Sequence, residues 1–186
     1  MTSIIKVDQI QNAAGNTIVS TDASTVTIKN PAGTTAMTID GDGIVSTAQR
    51  PAFYITHTSG TVGLNGVIVL NNAIENVGGH YSTSTGRFSA PLTGWYQFNF
   101  NGFGCNSVGG TLASGTSGQV GLFNETTSTW LAVAYGYAGS SHHPNLSFST
   151  TQKLNANDIV RLNTVSNYIY SDASGYYLRF SGHFIG

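Results

Sequence analysis

From Gly94 to Phe100 a large ring recurs at every second position: Tyr96, Phe98 and Phe100 alternate with Trp95, Gln97 and Asn99. That two-residue period belongs to a strand and not to a helix. A Pro91-Leu92-Thr93-Gly94 turn leads into it. Three bulky rings on one face demand a second layer to cover them, so the chain must build a sandwich or barrel around this strand. Upstream, residues 81–91 read as a turn followed by a short strand. Further strand candidates fall at 53–56, 67–70, 87–90, 95–103, 119–123, 130–134, 146–151, 159–164, 167–170 and 176–185, separated by Gly, Ser and Asn. No stretch carries a convincing helical period. The expected fold class is all-β, a sandwich or jelly roll.

Aromatic residues divide the chain. All 20 Phe, Tyr and Trp lie at or after Phe53, and the first 52 positions contain none. Each buried ring removes roughly 150–250 Å² from water, so a segment without rings has little from which to build a core. Residues 1–48 are therefore expected to form an extended N-terminal β-arm for anchoring and trimerisation, and residues 49–186 a head domain. In the arm, Val26 and Ile28, then Met37 and Ile39, alternate with polar residues across an Asn30-Pro31-Ala32-Gly33 turn, and Asp40-Gly41-Asp42-Gly43 turns again before Ile44. Short hairpins of this kind are marginal alone in water. The edges of Val26–Ile28 and Met37–Ile39 are expected to pair with sister copies. Ile18-Val19-Ser20-Thr21 recurs as Ile44-Val45-Ser46-Thr47, which suggests repetition.

Only 8% of residues are charged, against about 25% in typical soluble proteins. Ser, Thr, Asn and Gly fill 82 positions, a polar and uncharged composition common among β-rich extracellular and virion proteins. A net charge of −1 provides no basic footprint for nucleic acid or an anionic membrane. The single cysteine, Cys105, excludes an intrachain disulfide and a C-x-x-C metal site. Met1-Thr2-Ser3-Ile4-Ile5-Lys6-Val7-Asp8 has no basic and apolar signal pattern, so synthesis in the cytoplasm is expected. No apolar run reaches 18 residues.

The series Asn76, Tyr81, Phe88, then Gly94-x-Tyr96-x-Phe98-x-Phe100, resembles the globular head of the complement C1q family. Where that family usually has a Phe six residues before the Asn, this chain has Leu70. Residues 157–162 and Phe180-Ser181-Gly182-His183-Phe184-Ile185 are similar to the family's last two strands, and residues 50–55 to its first. The resemblance implies an all-β, jelly-roll β-sandwich of the C1q and tumour necrosis factor type over about residues 50–186, and a homotrimer. Separately, Ser3 to Ile10 and the Gly/Asn-punctuated segment after it look like the N-termini of small bacteriophage structural and tail-fibre-like proteins.

Candidate chemistry is sparse. His142-His143 offers imidazoles without a neighbouring carboxylate, which favours an exposed loop over a metal site. Asp40-Gly-Asp42-Gly lacks the later ligands of a calcium loop and reads as a turn. Asn124-Glu-Thr126 and Asn145-Leu-Ser147 match the glycosylation acceptor by chance. The eight Asp and Glu are scattered, so no catalytic residues, metal or cofactor are expected; an enzyme would need His142, His143 or Asp158 gathered between subunits. Tyr135, Tyr137, Tyr168, Tyr170, Tyr176 and Tyr177 divide between packing, a trimer interface and a ligand surface. The expected role is a non-enzymatic bacteriophage virion surface protein: a trimeric knob or capsid decoration protein, bound to other virion proteins through residues 1–48, whose head adsorbs to host glycans or receptors. A short tail fibre with a C1q-like receptor-binding tip, or a soluble lectin, are the alternatives.

Overall fold

The computed structural model describes residues 8–22, 24–63, 66–106, 109–140, 142–165, 167–172 and 174–186, and its two compact units are Met1–Arg50 and Pro51–Gly186. Ser3 to Val7, and Ser107 and Val108 within the Gly/Ser-rich segment 106–118, lie outside the described residues. Every described element is a strand, bridge or turn.

The first unit is an antiparallel meander of β1 (Gln9–Gln11), β2 (Thr17–Thr21), β3 (Val26–Lys29), β4 (Thr35–Ile39) and β5 (Val45–Ser46), hydrogen-bonded in sequence order. Turn chemistry sets this order. Asn12, Asn30 and Asp40 each open a tight turn in which their side-chain Oδ1 accepts a backbone N–H four residues on, from Asn16, Thr34 and Ile44 at 3.0, 2.9 and 2.8 Å. Gly15, Gly33 and Gly43 supply the positive φ that each turn needs, at 80, 85 and 81°. Residues 10–19 and 28–37 are two copies of one hairpin: Ile, Asn, Ala, Gly and Thr recur at 10/28, 12/30, 14/32, 15/33 and 17/35. Both copies shift register at the same place, leaving Ile18 and Ala36 as the extra residues. The Ile18–Thr21 echo at Ile44–Thr47 is not this repeat, because Ile44 sits in a turn. The expected pairing of free strand edges between copies is also corrected. Val26 pairs with Ile39 and Ile28 with Met37 inside the chain, because a four-residue turn closes that contact locally at small entropic cost.

The second unit is a sandwich. One sheet runs β13 (Thr129–Tyr137), β12 (Ser117–Asn124), β15 (Ile159–Thr164), β10 (Arg87–Ser89), β9 (Tyr81–Ser82). The other runs β7 (Thr61–Val62), β16 (Tyr168–Tyr170), β11 (Gly94–Cys105), β17 (Arg179–Phe184), β6 (Ala52–Thr56), β8 (Asn72–Val77), with β14 (Asn145–Leu154) on the other side of β11. Residues 67–70 are not a regular strand. Val67 makes one bridge to Asn163 while Ile68 and Leu70 drop fully into the core. Residues 176–178 also precede their strand instead of belonging to it.

Tyr96, Phe98 and Phe100 fill the space between the sheets with at most 3% exposure. Phe98 stacks on Phe180 at 6.2 Å and meets Phe88 edge-on at 5.9 Å. Phe53 contacts Tyr81, Phe88 and Phe180 at 5.2, 5.1 and 5.0 Å. Gly182 is glycine because a Cβ there would lie 2.6 Å from Phe53 and 2.8 Å from Phe98. At Gly94 a Cβ would meet the Phe184 ring at 2.5 Å, so the strand start and the last strand close only without a side chain. Phe184 itself is half-buried and sits edge-on to Tyr96 at 5.2 Å. Asn76 ties its loop shut: its amide donates to the Tyr81 carbonyl at 2.8 Å and accepts the Tyr81 N–H at 3.1 Å. Tyr96 likewise fastens the turn before it, donating to the Leu92 carbonyl at 2.7 Å and accepting the Leu92 N–H at 3.2 Å.

Truncating Phe98 to alanine should lower unfolding free energy by about 3–5 kcal/mol. Trp95→Ala, 49% exposed on the same strand, should change it by no more than about 0.5 kcal/mol. Urea denaturation of both variants checks the contrast.

Candidate functional site

The alternation that buries Tyr96, Phe98 and Phe100 aims Trp95, Gln97, Asn99, Asn101 and Phe103 at the opposite face of their sheet. Neighbouring strands extend these positions into rows. Gln97 lies between Thr151 and His183, Asn99 between Ser149 and Ser181, and Asn101 between Ser147 and Arg179. The middle of this face is an uncharged hydrogen-bond ladder. Thr151 donates its hydroxyl to Gln97 Oε1 at 2.5 Å, Gln97 Nε2 donates to Ser149 Oγ at 2.8 Å, and Ser149 donates onward to Asn99 Oδ1 at 2.8 Å. Pairing fixes these side chains, so the middle of the face is preorganised. Its charged residues are Lys153 beside Trp95, Arg179 beside Asn101, and Glu75 beside Tyr54 toward the β8 edge.

At one end of the face the surface turns aromatic. Phe103, His143, Tyr170 and Tyr177 line a concavity of about 300 Å³. Phe103 is directly paired with Tyr170 across β11 and β16, while Tyr177 closes the group edge-on, 5.8 Å from Phe103 and 5.5 Å from Tyr170. His143 is not a free loop side chain. It is half-buried, packs on Tyr170 at 5.3 Å, and its Nδ1 lies 3.2 Å from the Gly104 carbonyl. Rings with few polar tips bury area at low conformational cost, which suits a protein partner or a stacking ligand.

The remaining tyrosines are dispersed. Tyr168 is half-buried two residues from Tyr170 and pairs with Cys105. Tyr176 is 67% exposed, with the Arg179 guanidinium 5.9 Å from its ring centre. Tyr135 and Tyr137, each 64% exposed, lie with Val133 on the outward side of β13, in the other sheet. His142 pairs with Ser140, Oγ to Nδ1 at 2.5 Å, on an exposed segment. Asp158 is buried in a turn, where its Oδ2 accepts the Asn155 N–H at 2.9 Å. Among the described residues no three His, Cys, Asp or Glu side chains converge as a metal set would. Burial pushes the Cys105 thiol up to about 11, which keeps it protonated and unreactive.

Two arrangements escape a reading of the sequence because their members lie far apart in it. One is the ladder from Gln97 and Asn99 to Ser149 and Thr151. The other is an ion cluster: Arg87 grips Glu125 with two hydrogen bonds of 2.6 and 2.7 Å. Arg161 approaches the same carboxylate at 2.6 Å outside hydrogen-bond alignment, and lies over the Phe123 ring at 5.2 Å. The alternating Ser147, Ser149 and Thr151 were the only sequence signal for the first, and the second left none.

A profile of the C1q domain matches residues 52–185. Among solved structures, the chain is similar to the globular domain of zebrafish complement 1qA protein, with 15% identity, a TM-score of 0.57, and coverage of 74% of this chain and 98% of that one. It is similar to murine APRIL at pH 5.0, with 11% identity, a TM-score of 0.56, and coverage of 73% and 99%. Eiger TNF from S. frugiperda matches with 14% identity, a TM-score of 0.56, and coverage of 74% and 94%. At these identities the structures establish the fold. No curated protein sequence matches.

The hydrogen bonds from Arg87 hold the Glu125 carboxyl below the usual 4.5, against desolvation and with added attraction from Arg161 and Arg87. A depressed acid stabilises the fold fully above its unfolded value and loses that contribution as pH falls through the folded one. Wild type should therefore lose stability relative to Glu125→Gln as pH drops below 4.5, and thermal melts of the two proteins between neutral and acid pH measure the convergence.

Proposed function

This chain belongs to the C1q domain family, and from that premise we propose that it is a non-enzymatic surface protein of a bacteriophage virion: a homotrimeric knob or decoration protein, attached to the particle through residues 1–48, whose head adsorbs to host surfaces. One observation carries the reading. A C1q-type head follows directly on a separate β-meander in which no described residue is buried, and an element with its apolar residues left uncovered is built to be covered by something else. The charge-poor composition, with 82 Ser, Thr, Asn and Gly, supports a surface kept wet by neutral polar groups. The Ser3–Ile10 resemblance to phage structural proteins supports the source.

Four of the eight acidic residues are committed to structure. Asp22 and Asp40 accept backbone N–H groups in arm turns, Asp158 does so in the head, and Glu125 holds arginines. That deployment supports a binding role over hydrolysis. For the trimer, the outer face of the seven-stranded sheet provides the contact, with the Phe103–Tyr170–Tyr177 concavity receiving apolar side chains from a sister head. Tyr135, Tyr137 and Val133, on the other sheet, stay outward as the adsorbing stripe.

Light scattering should return a mass about three times 19.5 kDa. Asn99→Arg, an exposed position at the centre of the proposed contact, should reduce that mass to the monomer's with an unchanged circular-dichroism spectrum; a stable trimer in this variant moves the contact elsewhere. Removing residues 1–48 should leave a folded trimeric head that no longer attaches to purified particles, and its continued attachment would overturn the anchoring role. Quantitative gels of particles separate tens or hundreds of trimers, as for decoration, from the handful of a tail fibre.

A further inference from the structure

The arm sheet has two chemically different faces, and register alone separates them. Gln9, Ser20, Thr27, Thr38 and Ser46 are directly paired from one strand to the next across all five strands, forming one polar row. On the opposite face Ile10, Val19, Ile28 and Met37 pair in one row, and Thr21, Val26, Ile39 and Val45 in a second. Seven of these eight side chains are apolar. None is buried, and Ile10 and Val45 are 49% and 56% exposed. A concavity of about 180 Å³ lined by Asp8, Gln9, Ile10, Val19 and Thr21 indents the edge of the same sheet. Of the charged residues, Asp22, Asp40 and Asp42 lie in turns and Lys29 follows Ile28 onto the polar side, while Asp8 stands at the sheet edge beside Ile10 and Thr21.

We propose that this apolar face packs against the same face of two sister arms, so that three meanders close into a three-sided β-prism with Ile28 and its row inside. The proposal rests on the homotrimer proposed above. Three features select copies of this chain as the occupant. The one charge beside the rows of the face, Asp8, is confined to the exposed edge, so identical faces meet without burying a like-charge pair at their centre. The face is built from a tandem hairpin whose two copies present equivalent apolar residues, Ile10 with Val19 and Ile28 with Met37, so each arm offers the next a continuous row of similar side chains. The size of the face then calls for a tethered partner. Five strands about 4.8 Å apart and about 4 residues long give a footprint of roughly 300–400 Å². A free partner opposed to this face would bury only on the order of 600–800 Å² in total, the size of a chance crystal contact, and each seam of a prism buries less, so the contact depends on a tether. Tethering to a trimeric head raises the arms' mutual concentration to about the mM range, which a small contact needs.

The test uses the full chain with one new thiol and a short bis-maleimide, against a background in which Cys105 is fully buried. Ile28→Cys should cross-link into a two-chain species that stops at two of every three chains, since a bifunctional linker leaves one arm of each trimer unpaired. Thr27→Cys, its neighbour on the polar side, should remain monomeric on a denaturing gel. Met37→Cys, in the same row as Ile28, repeats the measurement should Ile28→Cys not fold. Equal linkage at Thr27 and Ile28, or none at either apolar position, overturns the prism, and linkage that runs to completion overturns its three-fold form. Head trimerisation, read by light scattering on the chain lacking residues 1–48, fails or succeeds independently of this result.

Discussion

The head is organised by one packing constraint: rings from β11 must be covered by rings from the facing sheet and from β6 and β17 at the same time. Phe98 shows why. It stacks on Phe180 in its own sheet and meets Phe88 from the other, so it holds both layers at a fixed spacing. Close packing at that density leaves no room for adjustment, which is why Gly182 and Gly94 carry no side chain where Phe53, Phe98 and Phe184 press in. The outer face inherits its form from the same constraint. Once Tyr96, Phe98 and Phe100 point inward, the residues between them have to point outward in the register that builds the Gln97–Ser149–Asn99 ladder.

The arm obeys different physics. With no ring and no buried side chain among its described residues, it relies on turn amides and ladder hydrogen bonds, each contributing a net of only about 0.5–1.5 kcal/mol. Asn12, Asn30 and Asp40 set the hairpins, yet nothing within the sheet covers its apolar rows. A five-stranded meander with one uncovered face is a half-finished structure, and its completion by copies of itself would couple folding of the arm to assembly. The head, in contrast, carries its own core.

Much of the head was legible in the sequence because periodicity and spacing are local quantities. The alternation after Gly94, the Asn76-to-Tyr81 spacing that became a closed loop, and the positions of β6, β10, β15 and β17 all follow from neighbours within a few residues. Residues 67–70 misled, since an apolar run reads as a strand whether its backbone pairs along its length or, as here, through a single bridge. Phe103, His143, Tyr170 and Tyr177 were visible as residues but not as one concavity, because three separate connections bring them together.

The sequence by itself determined which residues turn inward, where the chain turns, and that the first 50 residues could not make a core, since each of these depends on side-chain period, turn chemistry or the supply of rings. Only the tertiary structure decided that Glu125 joins Arg87 and Arg161, that Gln97 meets Thr151, and that β3 pairs with β4 within one chain while their shared apolar face stays open. Those outcomes depend on strand order and register across the sheets, which are set by the packing of the whole domain and by no segment alone.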